Sequence, residues 1–413
     1  MCGIAGVSGA PSSDAALELA ERMNAELVHR GPDDAGSWRE GGDALAMRRL
    51  SIIDLQGGHQ PMVAPSGTAI VFNGEIYNYR RLRDELAGDG WEFRTGSDTE
   101  VVLALYELHG IEAVDRLEGM FAIALRDGAR GRLHLVRDRM GKKPLYYTDG
   151  PGELLFASEL KALLAGLPTR PALARQSLHD FLTLRYVPGP ATVWEGVVKL
   201  PPGHRLEVDL RSGRRTLRRW WRLVFDSAPD GGGADAAGEF AELFGAAVDD
   251  RLVAADVPVG VLLSGGLDSS AVSAAAVERG HRAFHTFSVG FAEGGDFSEL
   301  GYARQMAEHV GAVHHEVVIG QDEFVAALPE LVHMTDEPLA DLATVPLHAV
   351  SKLAREHVTV VLSGEGSDEV LAGYDLEVLA AQIERLRPLR RLPAPLLRAA
   401  ARALPSGRGE ALG

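Results

Sequence analysis

The only cysteine of this 413-residue chain is Cys2, whose thiol stands beside an α-amine once the initiator methionine is removed. An α-amine has a pKa of about 8, so it can accept the thiol proton and leave a nucleophilic thiolate. The alternative is a small residue that fills space in a core. Because the cysteine is both unique and nearly terminal, we favour the nucleophile.

A second candidate for chemistry is the small-residue loop in VPVGVLLSGGLDSSAVSAA, where residues 264–270 connect an apolar strand to a helix. Backbone N–H groups of such a loop and the start of the helix suit a phosphate. The alternative is a tight strand-to-helix turn with Ser269 or Ser270 as the N-cap. The Gly-Lys-Ser/Thr of a Walker motif is absent, which disfavours a P-loop NTPase.

A similar loop, SGEGSDE, spans residues 363–369 after another apolar stretch and carries Glu365, Asp368 and Glu369. Ligands bind at the carboxyl ends of parallel strands, where Asp268 of the first loop could meet Asp368 of the second. Two carboxylates beside a polyphosphate make a Mg²⁺ site. The alternative is that these acids cap helices and solvate a loop.

Two unlike domains must position these groups. Strands over 69–72, 133–136 and 154–157 and helices over 15–27 and 99–108 predict an α+β domain. Later, strands over 257–263, 284–291, 313–319 and 357–362 alternate with helices over 270–279 and 298–310, which predicts a parallel sheet. We place the domains at residues 1–210 and 237–413, with a linker at 211–236 that contains DSAPDGGGADA.

Composition excludes several classes of protein. Forty-two basic against 58 acidic residues give a net charge of −16, so nucleic acid is not an expected partner. One cysteine excludes an internal disulfide. The sequence offers no signal peptide and no apolar stretch long enough to span a bilayer, so we expect no membrane association and a cytoplasmic location.

At family level, SGGLDSS resembles the pyrophosphatase-type (PP-loop) motif of ATP enzymes that release AMP and pyrophosphate. SGEGSDE, followed by Gly373 and Tyr374, resembles the second nucleotide loop of asparagine synthetases. Residues 1 to about 200 resemble the class II glutamine amidotransferase domain, in the motifs CGIAG, HRGPDD, RLSIIDL, FNGEIYN, TGSDTE, GMFA and RDRMGKKPLYY. The resemblance implies an αββα N-terminal-nucleophile hydrolase sandwich followed by an α/β parallel-sheet PP-loop domain.

For the first domain, the resemblance implies that Cys2 attacks glutamine and that the Asn73 side chain and the Gly74 N–H stabilise the oxyanion. A two-residue hairpin turn at positions 73 and 74 is the alternative, and both can hold. The resemblance also implies roles in binding glutamine for Glu75 and for Asn73 itself. No chemical step is assigned to His29 or Asp33, which lie in a glycine-proline loop.

By the same resemblance, two further residues would bind the charged α groups of glutamine. Arg49 would hold the α-carboxylate through a forked pair of hydrogen bonds, and its alternative is an ordinary surface arginine. Asp98 would pair with the α-ammonium, and its alternative is a member of a capping box formed by residues 97–100.

For the second domain, the resemblance implies that Asp268 and Asp368 hold Mg²⁺ and that Glu365 is the base for attacking ammonia. Asp336, Glu337 and Asp341 are candidates for selecting the acceptor. The residues expected to bind ATP are Leu262, Ser264, Gly265, Gly266, Asp268, Ser269, Ser270, Val289, Ser363 and Gly364.

Together these features predict glutamine-dependent asparagine synthesis. Ammonia freed at Cys2 would pass through a tunnel and attack β-aspartyl adenylate, made from aspartate and ATP. After Tyr374 the chain becomes rich in Leu and Arg and lacks the family's further helices, so we expect a C-terminally incomplete synthetase domain. The alternatives are a related amidotransferase of secondary metabolism that uses another carboxylate, a glutaminase-only fragment and, least favoured, a non-catalytic protein. A homodimer is allowed.

Overall fold

The computed structural model describes residues 1–150, 152–224, 236–282, 284–292 and 298–374, together with residues 380, 383 and 384. The chain forms two compact units, Met1–Leu362 and Ser363–Gly413. Most of the glycine-rich part of the expected linker, and nearly all of the Leu- and Arg-rich segment after Tyr374, lie outside the described residues.

The first part of the larger unit consists of two antiparallel sheets and five α-helices. Its strands are β1 (Gly3–Ser8), β2 (Asp34–Glu40), β3 (Asp43–Arg49), β4 (Met62–Val63), β5 (Ala69–Ile76), β6 (Gly119–Asp127), β7 (Arg132–Arg137), β8 (Tyr146–Thr148), β9 (Leu154–Ala157), β10 (Val197–Lys199), β11 (His204–Asp209) and β12 (Arg215–Arg219). Its helices are α1 (Ser13–Ala25), α2 (Tyr79–Gly88), α3 (Asp98–His109), α4 (Leu160–Gly166) and α5 (Arg175–Leu184), with a 3₁₀ turn at Ile111–Arg116.

These elements form four layers. The first sheet has the order β10-β8-β9-β1-β3-β2, and the second has the order β12-β11-β7-β6-β5-β4. Alternate residues of β1 and β5 face the core between the sheets, where Ile4 packs with Val71. The outer faces pack on α1 and α4 and on α2 and α3, respectively. The expected αββα sandwich is therefore confirmed. Strand β12 continues the second sheet into residues that we assigned to the linker.

A four-stranded parallel sheet follows in the same unit, with the order β15-β14-β13-β16. Its strands are β13 (Val259–Leu262), β14 (His285–Phe291), β15 (Val313–Ile319) and β16 (Val360–Leu362). The helices are α6 (Ala236–Ala254), α7 (Leu267–Glu278), α8 (Leu300–Val310), α9 (Gln321–Thr335) and α10 (Thr344–Arg355). The core beside α7 includes Val261, and the core beneath α10 includes Phe287, so helices cover both faces as the sequence predicted.

Hydrogen bonds join the two folds within this unit. The Asp54 N–H donates to Asp256 at 2.8 Å, and the Asp256 N–H donates to Ile52 O at 2.9 Å. Arg80 donates to Val253 O at 3.0 Å. The parallel-sheet domain is thus fixed to the loop after β3 and to α2. None of the described helices has the length and apolar character needed to cross a membrane.

Candidate active sites

A pocket is lined by residues of both antiparallel sheets, including Arg49 at the end of β3 and Asn73 of β5. Cys2 precedes β1 and follows the alternation that turns Ile4 towards the core between the sheets, so its side chain packs at the end of the sandwich. The pocket contains all six residues that we expected at the glutaminase site, namely Cys2, Arg49, Asn73, Gly74, Glu75 and Asp98.

The Cys2 thiol is held by its surroundings. Its Sγ donates to Leu50 O at 3.6 Å, and the Cys2 carbonyl accepts a hydrogen bond from Arg30 Nε at 2.9 Å. Burial raises the pKa of the thiol and lowers the pKa of the neighbouring Met1 α-amine to about 5. In the mature chain the α-amine would belong to Cys2 itself, and it is the neutral form of that amine that can accept a proton from the thiol.

Asn73 lies within β5, opposite Ala122 of β6, so the hairpin alternative is wrong. The side chain is 1% exposed, and its Nδ2 is buried without a hydrogen-bond partner among the described residues. An unpaired buried donor is costly unless a ligand satisfies it. This amide is therefore a vacant donor that faces the same pocket as Cys2.

The Gly74 N–H is the second donor at this position. Backbone N–H groups alternate between the two edges of a strand. Those of Phe72 and Ile76 donate to Gln60 Oε1 at 2.7 Å and to Asp98 Oδ2 at 3.1 Å, on the edge away from β6. The Gly74 N–H between them points to that edge. A Cβ at Gly74 would lie 2.2 Å from Met120 O, so close strand packing, not a turn, requires the glycine.

Arg49 is 5% exposed, so the surface-arginine alternative is wrong. Its guanidinium donates to Ile53 O at 2.9 Å, to Asp54 O at 2.7 Å and to Leu55 O at 3.3 Å. Three carbonyls thus hold the guanidinium in place at the wall of the pocket. Its pairing with a glutamine α-carboxylate stays a prediction.

Asp98 is the first residue of α3, and the preceding Ser97 caps the helix by accepting from the Thr99 N–H at 3.2 Å. The reciprocal half of the expected capping box is absent, because Glu100 accepts from the N–H groups of Arg94 and Thr95 instead. Burial raises the pKa of Asp98 to about 7. Asp98 is therefore a buried carboxyl group that a cation would ionise.

Gln60 and Lys143 are among the pocket residues that were not predicted from the sequence. Gln60 spans from the Phe72 N–H to Thr99, to which its Nε2 donates at 3.0 Å. Lys143 is 6% exposed, and its Nζ lies 3.0 Å from Met1 Sδ. Burial lowers the pKa of Lys143, while the nearby carboxyl of Glu75 raises it. The signal for Lys143 was the motif RDRMGKKPLYY, but two adjacent lysines gave no indication which one is buried.

Asp138 and Glu159 organise the loops around the pocket. The Asp138 carboxylate accepts from the Phe121 N–H at 3.1 Å and from the Lys143 N–H at 3.0 Å. Glu159 binds Arg30 at 2.7 Å and lies 2.9 Å from His29 Nε2. In the same region, Asp33 accepts from the Ser51 N–H at 2.8 Å. His29 and Asp33 thus have structural contacts, and we assign them no chemical step.

The expected nucleotide loop follows β13 at the carboxyl edge of the parallel sheet. Gly265 has φ +82°, and a Cβ there would lie 2.5 Å from Ala303 N of α8, so the position requires glycine on two grounds. Ser264 Oγ accepts from the Gly266 N–H at 3.1 Å and lies 3.1 Å from Ser269 Oγ. These contacts set the shape of the loop.

Helix α7 begins without a side-chain cap. Its N-cap is Gly266, so the alternative that Ser269 or Ser270 caps the helix is wrong. The Ser270 N–H is already bonded to Gly266 O at 3.1 Å, and the first-turn N–H groups before it have no partner inside the helix. Half-buried Asp268 lies in this turn. Leu262 and Val289 pack in the core beneath α10.

The smaller unit contains the second expected loop and α11 (Ser367–Leu371). Gly366 has φ +97°, Ser367 Oγ donates to Gly364 O at 2.9 Å, and Tyr374 Oη donates to Glu369 at 2.7 Å. The roles of Ser363, Gly364, Glu365 and Asp368 stay predictions, as does the pairing of Asp268 with Asp368.

Two of the three acids proposed to select the acceptor contact the first domain. Asp336 Oδ1 lies 2.9 Å from Lys161 Nζ, and Glu337 Oε2 lies 2.7 Å from Lys199 Nζ. Asp341 accepts from the Ala343 N–H at 3.0 Å. Asp336 and Glu337 therefore connect the end of α9 to the first domain, and their part in selectivity stays a prediction.

Comparison with known proteins defines the class. Residues 1–221 match the family described as glutamine amidotransferase domain, and residues 239–411 match the asparagine synthase family. The chain belongs to the glutamine-hydrolysing asparagine synthetase family.

Several relatives support this assignment. A Bacillus subtilis protein named asparagine synthetase [glutamine-hydrolyzing] 1 is 39% identical over 96% of this chain, which covers 62% of that protein. The Escherichia coli protein named asparagine synthetase B is 36% identical over 87% of this chain, which covers 61% of it. A Mycobacterium tuberculosis relative is 41% identical over the whole chain, which covers 66% of it. The chain thus spans less than two thirds of the length of these relatives.

Among solved structures, the glutamine phosphoribosylpyrophosphate amidotransferase of B. subtilis matches with 16% identity and a TM-score of 0.41. The match covers 76% of this chain and 65% of that one, and the similarity is too low to bear on function.

Proposed function

We propose that the chain makes asparagine from aspartate, ATP and glutamine, with glutamate, AMP and pyrophosphate as the other products. The observation that carries this proposal is the buried, unpaired Nδ2 of Asn73 in the pocket that contains Cys2. Such a donor has a purpose where negative charge develops on a substrate oxygen. Family membership supplies the second half of the reaction.

In the first half, Met1 is removed and the α-amine of Cys2 takes the thiol proton. The thiolate attacks the side-chain amide of glutamine, and the negative oxygen is stabilised by Asn73 Nδ2 and the Gly74 N–H. Collapse expels ammonia, which carries the transferred proton, and leaves a γ-glutamyl thioester that water cleaves to glutamate. Two fixed donors in a buried pocket support this step because they need no reorganisation when charge appears.

Arg49 and Asp98 would bind the α-carboxylate and the α-ammonium of glutamine. The guanidinium is fixed by three carbonyls, and the carboxyl lies at the positive end of α3. Glu75 lines the same pocket, and burial raises the pKa of its carboxyl. A guanidinium and an ionisable carboxyl group in one pocket favour a zwitterionic amino acid over an anion or a cation alone.

In the second half, the aspartate side-chain carboxylate attacks the α-phosphorus of ATP, and pyrophosphate leaves. Residues 264–270 would cradle the pyrophosphate, because the first-turn N–H groups of α7 lack a cap and point out of the helix. Ammonia then attacks the β-aspartyl adenylate, with Glu365 as its base, and AMP leaves. A passage for ammonia between the domains is part of this proposal.

Mg²⁺ fits the carboxylate chemistry of Asp268, which lies in the first turn of α7 beside these N–H groups. We assign Asp268 and Asp368 as its protein ligands. When bound, the ion would neutralise charge on the phosphates of ATP. We further propose that the protein acts in the cytoplasm, where ATP is supplied, and a homodimer stays a prediction.

The test incubates the chain with glutamine, aspartate and MgATP and measures glutamate, asparagine, AMP and pyrophosphate in the same samples. Equal amounts of asparagine, AMP and pyrophosphate would support the synthetase. Glutamate alone would restrict the chain to glutaminase activity. Release of AMP with another acid in place of aspartate would identify that acid as the acceptor. No glutamate and no AMP would overturn the proposal.

A further inference from the structure

Three histidines from separate segments meet on one face of the parallel sheet. His285 begins β14, His315 lies on β15, and His357 lies between α10 and β16. One ring nitrogen of each can be chosen so that all three lie within 4.8 Å of one another. His285 Nδ1 is 2.8 Å from His315 Nε2, and the rings of His315 and His357 stack with centroids 3.9 Å apart.

Strand register explains why the rings meet. His315 pairs with Phe287, and His285 lies two residues before Phe287 on the same face of β14. The neighbours Thr286 and His314 point to the opposite face, where their side chains bond at 2.8 Å. The folded sheet thus separates two adjacent histidines and directs only His315 to the cluster.

A rigid aromatic floor supports the cluster. Phe287 is 1% exposed and stacks against His315 and His357, with ring centroids 5.2 Å and 5.9 Å away. A Cβ at Gly260 of β13 would lie 2.7 Å from this phenyl ring, so the glycine makes room for it. The imidazoles therefore pack against a buried side chain.

The chemistry of the cluster suits a metal ion. Neutral imidazole is a good ligand for Zn²⁺, Ni²⁺ and Cu²⁺, whereas three protonated rings at this distance would repel one another. The nitrogens of His285 and His315 share one proton, and an ion that replaces it needs them to separate to about 3.3 Å for bonds of about 2.0 Å. Because an imidazole lone pair lies in the ring plane, binding also requires the stacked rings of His315 and His357 to turn towards the ion. His357 is exposed, so water can complete the coordination.

The end of α10 adds favourable electrostatics. The helix ends at Arg355, and the His357 N–H donates to Ala354 O at 3.0 Å, which places the ring beside the negative end of the helix dipole. Val358 and Val350 pack on Phe287 from the same side. Three sequence segments converge here, so one ion bound to all three rings would link them.

We propose that His285, His315 and His357 form a binding site for a divalent transition-metal ion of the Zn²⁺ class. The ion ties β14, β15 and the segment before β16 together. It lies on the face covered by α10, whereas the nucleotide loop follows the carboxyl end of β13. Its role is to stabilise the parallel-sheet domain, because an ion that binds only the folded state shifts unfolding to higher temperature.

The test uses the full chain with Cys2→Ser, which removes the only thiol, after treatment with EDTA and dialysis. Titration calorimetry with Zn²⁺ should give one ion per chain, and Co²⁺ should give the intense visible absorption of a tetrahedral site. Zn²⁺ should also raise the melting temperature. If an excess of free imidazole removes all of the bound Zn²⁺ and Zn²⁺ does not change the melting temperature, the proposal is overturned.

Two variants and a control locate the ion. His357→Gln changes an exposed side chain and should weaken Zn²⁺ binding at least about tenfold without loss of fold, as judged by circular dichroism. His285→Gln with His315→Gln should abolish the Co²⁺ absorption. His309→Gln, on the exposed side of α8, should change neither. Zn²⁺ affinity that is unchanged in His357→Gln would assign the ion to another site and overturn the proposal.

Discussion

Lys161 Nζ lies 2.9 Å from Asp336 Oδ1 and 2.7 Å from Glu159 Oε2, so one lysine bridges the first domain and the end of α9. Glu159 also binds Arg30, whose Nε donates to the Cys2 carbonyl. A continuous series of charged side chains therefore runs from the backbone of Cys2 to the parallel-sheet domain. Besides Lys161, this series contains Arg30, Glu159 and Asp336, whose side chains are each at most 10% exposed.

Asp336→Asn should uncouple the two half-reactions. The substitution leaves Lys161 with Glu159 alone and weakens the contact between the domains, at a cost of roughly 3 kcal/mol in unfolding free energy. We expect the ratio of glutamate to asparagine to rise severalfold above one, because ammonia escapes. The measurement is the product ratio at saturating substrates.

Glu330→Gln is the control for this variant, since Glu330 forms an exposed pair with Lys352 on the same domain. It should leave both the ratio and the stability unchanged, because an exposed ion pair contributes little to stability. A ratio that stays at one in Asp336→Asn would show that this ion pair does not couple the sites.

Cys2→Ala should abolish glutamine hydrolysis and spare asparagine synthesis from ammonium salts. The proposed nucleophile is lost, but the proposed nucleotide loop at residues 264–270 follows a strand of another sheet and should keep its geometry. The measurement compares asparagine formation with glutamine and with ammonium chloride. Loss of both activities to the same extent would contradict the two-site mechanism.

Asn73→Ala should lower kcat for glutamine hydrolysis about 10²–10³-fold with little change in KM, because it removes a donor that acts on the developing oxyanion. The unfolding free energy should change little, since Nδ2 has no partner to lose among the described residues. Steady-state kinetics and urea denaturation provide the two readings.

Asn78→Ala is the matched control. Its amide donates to Arg116 O at 2.9 Å and accepts from the Glu118 N–H at 3.1 Å, so this variant loses two structural hydrogen bonds. It should cost about 1–3 kcal/mol of stability and leave kcat unchanged. If Asn73→Ala has the same kcat as the unmodified chain, Asn73 does not stabilise the oxyanion.

Much of this architecture was predictable because its signals are local. Short apolar-rich segments predicted β7 and β9, and helical spacing predicted α1 and α3. The two domains followed from the change in pattern along the chain. The motifs of the first domain indicated which residues to expect at the glutaminase site, and the structure places those residues around one pocket.

The errors arose where distant contacts decide. Asn73 and Gly74 have strong turn propensity, but pairing with β6, some fifty residues away, keeps them in a strand. The bond between Lys161 and Asp336 joins residues 175 positions apart, which no local pattern predicts. The histidine cluster was missed for the same reason, because only the register of β14 and β15 reveals it.

Asp98 should give kcat/KM for glutamine an acidic limb. Burial raises the pKa of Asp98 to about 7, and only its carboxylate can pair with the α-ammonium of glutamine. We expect kcat/KM to fall about tenfold per pH unit below pH 7. Asp98→Asn should show a low kcat/KM without this limb. An unchanged limb in the variant would assign the titration to another group.

The same carboxyl group predicts a pH dependence of stability. Its pKa is higher in the folded chain than the unfolded value of about 3.9, so the folded state binds more protons between pH 4 and 7. Its contribution to stability therefore falls as pH rises through this range, by up to about 4 kcal/mol. Urea denaturation of the chain and of Asp98→Asn at pH 5 and 8 should differ accordingly.

Gly265→Ala should block adenylation and leave glutamine hydrolysis intact. The new Cβ would lie 2.5 Å from Ala303 N, and φ is +82°, so the loop must move away from α8. Its N–H groups then no longer converge on one phosphate. We expect aspartate-dependent release of AMP and pyrophosphate to fall at least about tenfold.

Gly280→Ala is the control that distinguishes displacement of the loop from the effect of backbone strain alone. Gly280 has φ +93° but nothing within 4 Å of an added Cβ, so this variant bears only the strain of about 1–2 kcal/mol. It should keep both activities and lower the melting temperature. The added Cβ at residue 265 must change the geometry of residues 264–270. If Gly265→Ala nevertheless releases AMP as fast as Gly280→Ala does, these residues do not bind the pyrophosphate of ATP.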